Sequence, residues 1–187
     1  MKQPAVVLDL LMKSPIAVTV VGDPRQATFV TNNAAKNKKF KGSGIVDWLG
    51  ERADLCLVES RVESYRCHQE ICDFADDLYP DLSRTVSKNT EVTGHDGVFA
   101  IKKSEVREYA EQYAPVVLRY NKNSDTCGLD AMNMGTAKGS TFDRVLIFPT
   151  VPMGKYYKTR DPDQAGDKAK LYVAVTRAKY SATFVLP

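Results

Sequence analysis

The feature that most constrains the fold of this chain is an alternation of short apolar runs with segments of helical period. In three segments, apolar residues recur at i, i+3, i+4 and i+7, which is the spacing of one buried helix face. Together these patterns predict an α/β fold in which a parallel sheet carries helices on both faces. The predicted strands are 16–21, 98–101, 115–120, 145–148 and 182–186, and the predicted helical faces begin at Ile71, Val106 and Leu171.

Composition excludes several classes of protein. Of the 187 residues, 43% are hydrophobic and 26% are charged, which is typical of a globular protein of one large or two small domains and not of a disordered or collagen-like chain. The formal net charge of +3 is too small to indicate a nucleic-acid-binding protein by itself. Every apolar stretch is far shorter than the roughly 20 residues of a membrane helix. We therefore expect a cytoplasmic protein without a membrane partner.

The cysteines argue against a metal site. They stand at positions 56, 67, 72 and 127 and form no C-x-x-C pair. Neither a zinc site nor a disulfide scaffold is indicated, because both depend on characteristic cysteine spacings. The sequence thus predicts no bound metal and buried, reduced thiols.

A basic polar stretch at 31–44 suggests how the chain is organised. It contains Lys36, Lys38, Lys39 and Lys41 and no acidic residue. We interpret it as a linker between a first domain within residues 1–50 and a second domain within 51–187. Its lysines are either a solvated surface loop or contacts to a phosphate backbone, which would make binding salt-dependent.

A first candidate motif is VVGDPRQ at 20–26, where a predicted strand runs into a Gly-Asp-Pro turn that ends at Gln26. Open α/β sheets bind ligands at the carboxyl ends of their strands. A glutamine amide there can hydrogen-bond both a phosphate oxygen and an attacking water. The alternative is an Asp-Pro turn that only ends the strand.

A second motif is ESYRCHQEI at 63–71, in which Tyr65 and Arg66 precede a predicted helix. A guanidinium group can bind a phosphate through two parallel hydrogen bonds, and a phenol ring can stack on a base. The alternative is a structural arginine paired with a carboxylate.

The third motif, MGTAKGSTFD at 134–143, precedes a predicted buried strand. It contains Gly, Lys, Ser and Thr but does not form a P-loop, which requires G-x-x-x-x-G-K-[ST]. Lys138 precedes Gly139, and the pair Gly154-Lys155 is followed by Tyr156. No segment of this sequence can therefore hold a triphosphate in the P-loop manner.

The fourth motif is LYVAVTRAK at 171–179, where Arg177 falls beside the apolar face of a predicted helix. That position would allow its guanidinium group to reach a ligand in a cleft. The alternative is an amphipathic helix whose basic residues near the C-terminus are favoured by the helix dipole.

These four motifs, in this order, resemble motifs III, IV, V and VI of the superfamily 1 DNA helicases of the UvrD, Rep and PcrA type. The resemblance extends from about Ile16 to the end of the chain. It implies a RecA-like, P-loop NTPase-type sheet: part of a first RecA-like domain with motif III, then a nearly complete second domain without a large accessory insertion. By resemblance, Gln26 would sense the γ-phosphate and Tyr65 would stack on adenine. Arg66 and Arg177 would be arginine fingers.

The resemblance also implies contacts with single-stranded DNA, with RNA not excluded. The nucleic-acid residues would be Thr136 and Lys138 of motif V, Phe29 after motif III, and the lysines 36, 38 and 39, whereas Thr141 would lie near the nucleotide ribose. Core packing is the alternative for Phe29. Two positions depart from the family pattern: Gly135 stands where a histidine is common, and Thr141 stands where a ribose-binding glutamate is common.

The sequence also lacks the Walker A and Walker B motifs that precede motif III in this family. We therefore expect ATP with Mg²⁺ to bind only when an N-terminal RecA-like half is supplied, and the chain alone not to hydrolyse ATP. Two other interpretations stay open. One is a non-catalytic module that binds nucleic acid or protein, and the other is a domain whose arginines only form ion pairs.

Overall fold

The computed structural model describes residues 5–28, 39–40, 44–52, 54 and 59–187. The chain divides into two compact units, Met1–Arg61 and Val62–Pro187. The division predicted from the sequence lay between residues 50 and 51. None of the helices among the described residues is both long enough and apolar enough to cross a lipid bilayer.

The first unit contains helix α1 (Ala5–Met12), a 3₁₀ helix (Pro24–Gln26) and helix α2 (Ile45–Gly50). Leu8, Phe40 and Trp48 are buried against one another and form its core. The Arg52 guanidinium lies 3.9 Å from the centre of the Trp48 ring and also donates to Asp9 Oδ1 at 3.0 Å. Arg52 therefore contacts both α1 and α2 beside this small core.

The predicted strand at 16–21 is wrong. The segment is not in a strand, and within the described residues no backbone ladder pairs with it. Its apolar side chains are exposed, with Ile16 at 72% and Val21 at 85% of their full accessible surface. Apolar, β-branched residues favour a strand only where a neighbouring strand packs on them. The described part of the first unit provides no such neighbour.

The second unit is built on a parallel sheet, as predicted. Its five strands lie in the order β3-β7-β6-β4-β5, and every neighbouring pair is parallel. A separate pair of short parallel strands, β1 and β2, lies outside this sheet. The strands are β1 (Glu63–Ser64), β2 (Val86–Ser87), β3 (Gly97–Lys102), β4 (Val116–Arg119), β5 (Met132–Asn133), β6 (Phe142–Phe148) and β7 (Ala178–Leu186).

Helices cover both faces of the five-stranded sheet, which confirms the predicted α/β, RecA-like layering. Along β6, Val145 and Ile147 pack into one core, and Leu146 and Phe148 pack into another. This alternation arises because successive strand residues point to opposite faces. The first core includes residues of α3 (Gln69–Asp76), α5 (Val151–Thr159) and α6 (Lys168–Val175), and the second includes residues of α4 (Val106–Tyr113).

The end of α6 differs from the sequence prediction. The apolar spacing extended the helix to Ala178, but α6 ends at Val175 and β7 begins at Ala178. Both the backbone N–H and the hydroxyl of Thr176 donate to the Tyr172 carbonyl, at 3.0 and 2.7 Å, and complete the last turn. Arg177 therefore lies in the tight connection between helix and strand and not on a helix face.

Candidate functional site

The strongest concentration of sequence-predicted residues lies around Thr176, where α6 ends. Arg66 Nη1 donates to the Thr176 backbone carbonyl at 2.9 Å, and the Cys67 thiol donates to the same oxygen at 3.4 Å. A helix leaves its last carbonyl groups without partners inside the helix, and these two donors satisfy one such carbonyl. The residues of motif IV are thus fastened to the end of the motif VI helix.

Arg177 contacts the same residue, Thr176, through the threonine side chain. It is only 2% exposed, and its Nη2 lies 3.4 Å from the Thr176 hydroxyl oxygen. Its Nε donates to the Val173 carbonyl at 3.2 Å, and its Nη1 donates to the Ser140 carbonyl at 3.2 Å. These contacts satisfy a buried charged group with carbonyl dipoles and hold its planar fork in one orientation.

The motif V loop joins this cluster through the Ser140 carbonyl. The loop runs from the end of β5 to the start of β6, where the Phe142 N–H donates to the Arg177 carbonyl at 2.9 Å. Thr136 is exposed and its hydroxyl donates to the Asn133 carbonyl at 2.7 Å, whereas Lys138 is half-buried. Thr141 is exposed immediately before β6. Motifs IV, V and VI therefore meet at the end of the sheet where β6 and β7 begin.

Two guanidinium groups, those of Arg66 and Arg177, place positive charge beside the Cys67 thiol. A hydrogen bond with Cys72 lowers the pKa of the Cys67 thiol, and the nearby Arg66 and Arg177 guanidinium groups lower it further, against the opposing effect of burial. The hydrogen bond with Cys67 and burial raise the pKa of Cys72. Both thiols are free and buried. The cluster thus favours negative charge placed beside it.

Tyr65 is positioned differently from its neighbour. Its side chain is 78% exposed, and its hydroxyl donates to Glu63 Oε2 at 3.2 Å. An exposed aromatic ring gains little from packing in the fold but is free to stack on a planar ligand. Tyr65 therefore offers a surface next to Arg66 instead of a core contact.

Gln26 lies in the first unit, at the end of the 3₁₀ helix. The Asp23 carboxylate caps this helix by accepting from the Arg25 N–H at 3.0 Å. The Gln26 amide nitrogen donates to Asp23 Oδ2 at 2.9 Å. The Gly-Asp-Pro turn predicted from the sequence is thus a capped turn that orients the glutamine side chain.

Three predicted nucleic-acid residues, Phe29, Lys36 and Lys38, lie outside the described residues. Lys39 is described: its Nζ lies 2.7 Å from Glu51 Oε1 and 4.6 Å from the centre of the Phe40 ring. An exposed ion pair of this kind contributes little to stability and is easily exchanged for another anion.

Two residues that the sequence reasoning missed belong to the cluster. Thr176 links Arg66 and Arg177, as described above. Asn89 donates from its amide nitrogen to the Arg66 backbone carbonyl at 2.8 Å. Thr176 directly precedes the motif arginine Arg177 and can be found by inspecting motif VI. Asn89 stands 23 residues from Arg66, and no sequence signal marks it.

No group of three or more His, Cys, Asp or Glu side chains in the described part of the chain could hold a metal ion.

Solved structures of helicases are similar in fold to this chain. The PRRSV helicase is 21% identical with a TM-score of 0.44, over 72% of this chain and 24% of that chain. Arterivirus nonstructural protein 10 (helicase), in complex with DNA, is 19% identical with a TM-score of 0.45, over 67% of this chain and 25% of that chain. The C-terminal domain of a possible DNA helicase from Lactobacillus plantarum WCFS1 is 17% identical with a TM-score of 0.38, over 65% of this chain and 86% of that chain. This chain therefore corresponds to about a quarter of the length of the viral helicases.

Comparison with curated protein sequences finds no match. A family model does match: the viral superfamily 1 RNA helicase core domain aligns with residues 1–186. Since that match covers nearly all of the 187 residues, the chain belongs to the viral superfamily 1 RNA helicase core domain family.

Proposed function

We propose that this chain forms the second RecA-like half of an ATP-dependent helicase and that Arg66 and Arg177 act as its arginine fingers. The observation that carries the proposal is the attachment of both guanidinium groups to Thr176. Two fingers serve one phosphoryl group only when they are mounted close together on the same rigid element. In the second unit, both guanidinium groups contact Thr176, in the connection between α6 and β7, so they are held close together.

The chemistry of ATP hydrolysis explains why two fixed cations are useful. Charge spreads over the oxygens of the transferring phosphoryl group, and an arginine finger that stabilises it is worth about 10³ to 10⁵ in rate. Groups that are oriented before the reaction need no reorganisation during it. Arg177 is held by backbone and hydroxyl oxygens, so its fork is already fixed.

Arg66 suits an exchange of partners. It is half-buried, and its guanidinium group donates to a neutral acceptor, the Thr176 carbonyl. A phosphate group is a stronger acceptor for a guanidinium group than a neutral carbonyl, because it is negatively charged and can accept two parallel hydrogen bonds from the planar fork. Arg66 can therefore leave or share the carbonyl when a γ-phosphate arrives.

The remaining parts of the ATP site must come from a P-loop half. This chain has no G-x-x-x-x-G-K-[ST] segment. The complete helicase is thus this chain together with a P-loop half, supplied either by the same reading frame or by a separate polypeptide. Within it, we assign Gln26 to the attacking water and Tyr65 to the adenine ring.

We assign single-stranded nucleic acid to the motif V loop, with Thr136 and Lys138 on the backbone. The match to a viral RNA helicase family favours RNA. The motif resemblance to UvrD, Rep and PcrA favours DNA. Equilibrium binding of matched oligo(U) and oligo(dT) strands at one salt concentration decides between them, because the 2′-hydroxyl is the difference that a protein can read.

One second candidate has structural support. Arg177 is 2% exposed and bonded to oxygens of its own unit, which also suits a purely structural role in a non-catalytic binding module. In that case the chain would bind nucleic acid or protein without completing an ATP site.

An ATPase measurement distinguishes the two candidates. The complete helicase and the 187-residue chain alone are assayed for phosphate release with and without single-stranded RNA or DNA. We expect turnover only in the complete helicase, with a loss of at least about 10³ on Arg177→Lys, which keeps the charge but not the fork. Turnover by the chain alone, or normal turnover in Arg177→Lys, would contradict the proposal. The matched control is Arg107→Lys on the exposed face of α4, which should behave as wild type.

A further inference from the structure

Asn89 lies just after β2 and connects motif IV with motif VI through one amide group. Its Nδ2 donates to the Arg66 backbone carbonyl at 2.8 Å and lies 3.5 Å from the Lys179 carbonyl. The Lys179 carbonyl also accepts the His68 N–H at 2.9 Å. The chain before α3 is thus bound to the chain after α6 by a backbone bond and by the Asn89 side chain.

The Asn89 side chain is itself held in place. Its Oδ1 accepts the Glu91 N–H at 3.1 Å, and its own N–H donates to the Ser87 hydroxyl oxygen at 3.0 Å. The same hydroxyl donates to the Cys67 carbonyl at 2.7 Å. Both the amide and the turn that carries it are therefore fixed before any ligand binds.

We propose that Asn89 is a positioning residue for Arg66 and so for ATP hydrolysis. This inference rests on the proposed function, in which Arg66 is an arginine finger. The guanidinium group of Arg66 is held at the Thr176 carbonyl, and its backbone is held at the Asn89 amide. Because its backbone is fixed, the Arg66 side chain starts from one position when its guanidinium group leaves or shares the Thr176 carbonyl to bind the phosphate. Asn89 contacts Arg66 only through the backbone carbonyl, so its effect on catalysis is indirect.

The bonds of Asn89 require an amide group, because they use both donors and an acceptor. Asparagine supplies two N–H donors and one acceptor without a net charge. The two backbone carbonyls beside Nδ2 need donors, and the Glu91 N–H needs an acceptor. Aspartate has nearly the same shape but only acceptors when ionised, so it would face two carbonyl oxygens with negative charge. Asn89→Asp thus removes the link with little change in volume.

The first experiment measures steady-state ATP hydrolysis by the complete helicase. We expect Asn89→Asp to lower kcat by about tenfold to a hundredfold, because small misplacements of a reacting group have effects of that size. KM for ATP should stay within about twofold, since the stacking and P-loop contacts are untouched. Asn89→Ala, which removes the donors without adding charge, should lower kcat in the same direction. The matched control is Asn123→Asp in an exposed loop, which should leave kcat unchanged.

A double mutant separates a positioning role from general damage. If Asn89 acts through Arg66, then Asn89→Asp should have little further effect on kcat in an Arg66→Ala background. An equal loss of kcat in both backgrounds overturns the inference. Wild-type kcat in Asn89→Asp, with a large loss in Arg66→Ala, overturns it also but leaves the proposed function standing. If Arg66→Ala alone has wild-type kcat, the proposed function fails.

A readout on the 187-residue chain does not depend on ATPase activity. Amide hydrogen exchange of His68 reports the backbone bond to Lys179, beside the Asn89 link. We expect exchange of the His68 amide to accelerate at least tenfold in Asn89→Asp and Asn89→Ala, while amides in β6 and β7 keep wild-type rates. An unchanged exchange rate of the His68 amide in both variants would show that Asn89 does not stabilise this backbone bond and would overturn the inference, whatever the ATPase result.

Discussion

Arg66 Nη1 donates to the backbone carbonyl of Thr176 at 2.9 Å, across 110 residues of sequence. This bond joins motif IV to the end of the motif VI helix, and Arg177 binds the hydroxyl of the same threonine. Two arginines that are far apart in the sequence are thereby held by one residue.

Arg177 should contribute to stability as well as to activity. Its removal leaves the Val173 and Ser140 carbonyls without their arginine donor in a buried region, and each such loss costs about 1 to 3 kcal/mol. We expect Arg177→Ala to lower the free energy of unfolding of the chain by about 2 to 4 kcal/mol. Urea denaturation measures this difference. Arg107→Ala is the control and should lie within about 0.5 kcal/mol of wild type; equal stability of the two variants would contradict the described bonds.

Unlike Arg177, Tyr65 should contribute to nucleotide binding and not to stability. Because its side chain is 78% exposed, Tyr65→Ala should change the free energy of unfolding by less than about 0.5 kcal/mol. In the complete helicase the same change should raise KM for ATP about fivefold to 150-fold, since stacking of an aromatic ring on a base is worth about 1 to 3 kcal/mol. Tyr65→Phe keeps the ring and should keep KM. A KM in Tyr65→Ala equal to that in Tyr65→Phe would refute the stacking role.

We expect His95 to make the stability of the second unit depend on pH. Its ring stacks between Phe99 and Tyr113, with centroid distances of 4.1 Å to each, and its Nε2 lies 2.9 Å from the Tyr109 hydroxyl. Burial lowers the pKa of His95 below 6.5, the Arg144 guanidinium lowers it further, and the Asp96 carboxylate opposes this. The folded state therefore favours the neutral ring more than the unfolded state does.

The sign of the pH effect follows from this lowered pKa. The contribution of His95 to stability is fully present above the unfolded-state pKa of about 6.5 and is lost as pH falls through the folded-state pKa. We expect unfolding free energies at pH 8 and pH 5 to differ more in wild type than in His95→Gln. Identical pH dependence in wild type and His95→Gln would exclude this mechanism.

Lys138 provides a test of the nucleic-acid assignment. If its ammonium group neutralises one phosphate, Lys138→Ala should weaken binding of a single-stranded oligonucleotide and reduce the slope of log Kd against log salt by about 0.7. Fluorescence anisotropy across a salt series measures both quantities. Lys158→Ala, an exposed lysine of α5, is the matched control and should leave the slope unchanged. Equal slopes in all three proteins would remove Lys138 from the binding surface.

The sequence predicts the parts of this fold that depend on local pattern. The runs that become β3, β4, β6 and β7 are apolar because both faces of the sheet are covered, and pattern alone detects that burial. Motif order also identified superfamily 1, which the family match confirms. The run at 16–21 has the same apolar character but lacks a paired neighbour among the described residues, and pairing cannot be read from one segment.

The arrangement of the site depends on contacts that sequence does not encode locally. Motif letters identified Arg66 and Arg177 but assigned the latter to a helix face, whereas it lies in the connection before β7. Asn89 was missed because its role comes from two backbone carbonyls brought to it by the fold. A side chain that binds backbone groups imposes no residue type on its partners, so no pairing pattern exists to be recognised.

We propose that Arg66 acts on the phosphoryl group in the complete helicase. Single-turnover phosphate release at saturating ATP, compared between Arg66→Ala and the surface control Arg107→Ala, tests this role. We predict that Arg66→Ala slows phosphate release by about 10³ or more, while Arg107→Ala matches wild type. Equal rates of phosphate release in the two variants would contradict the account.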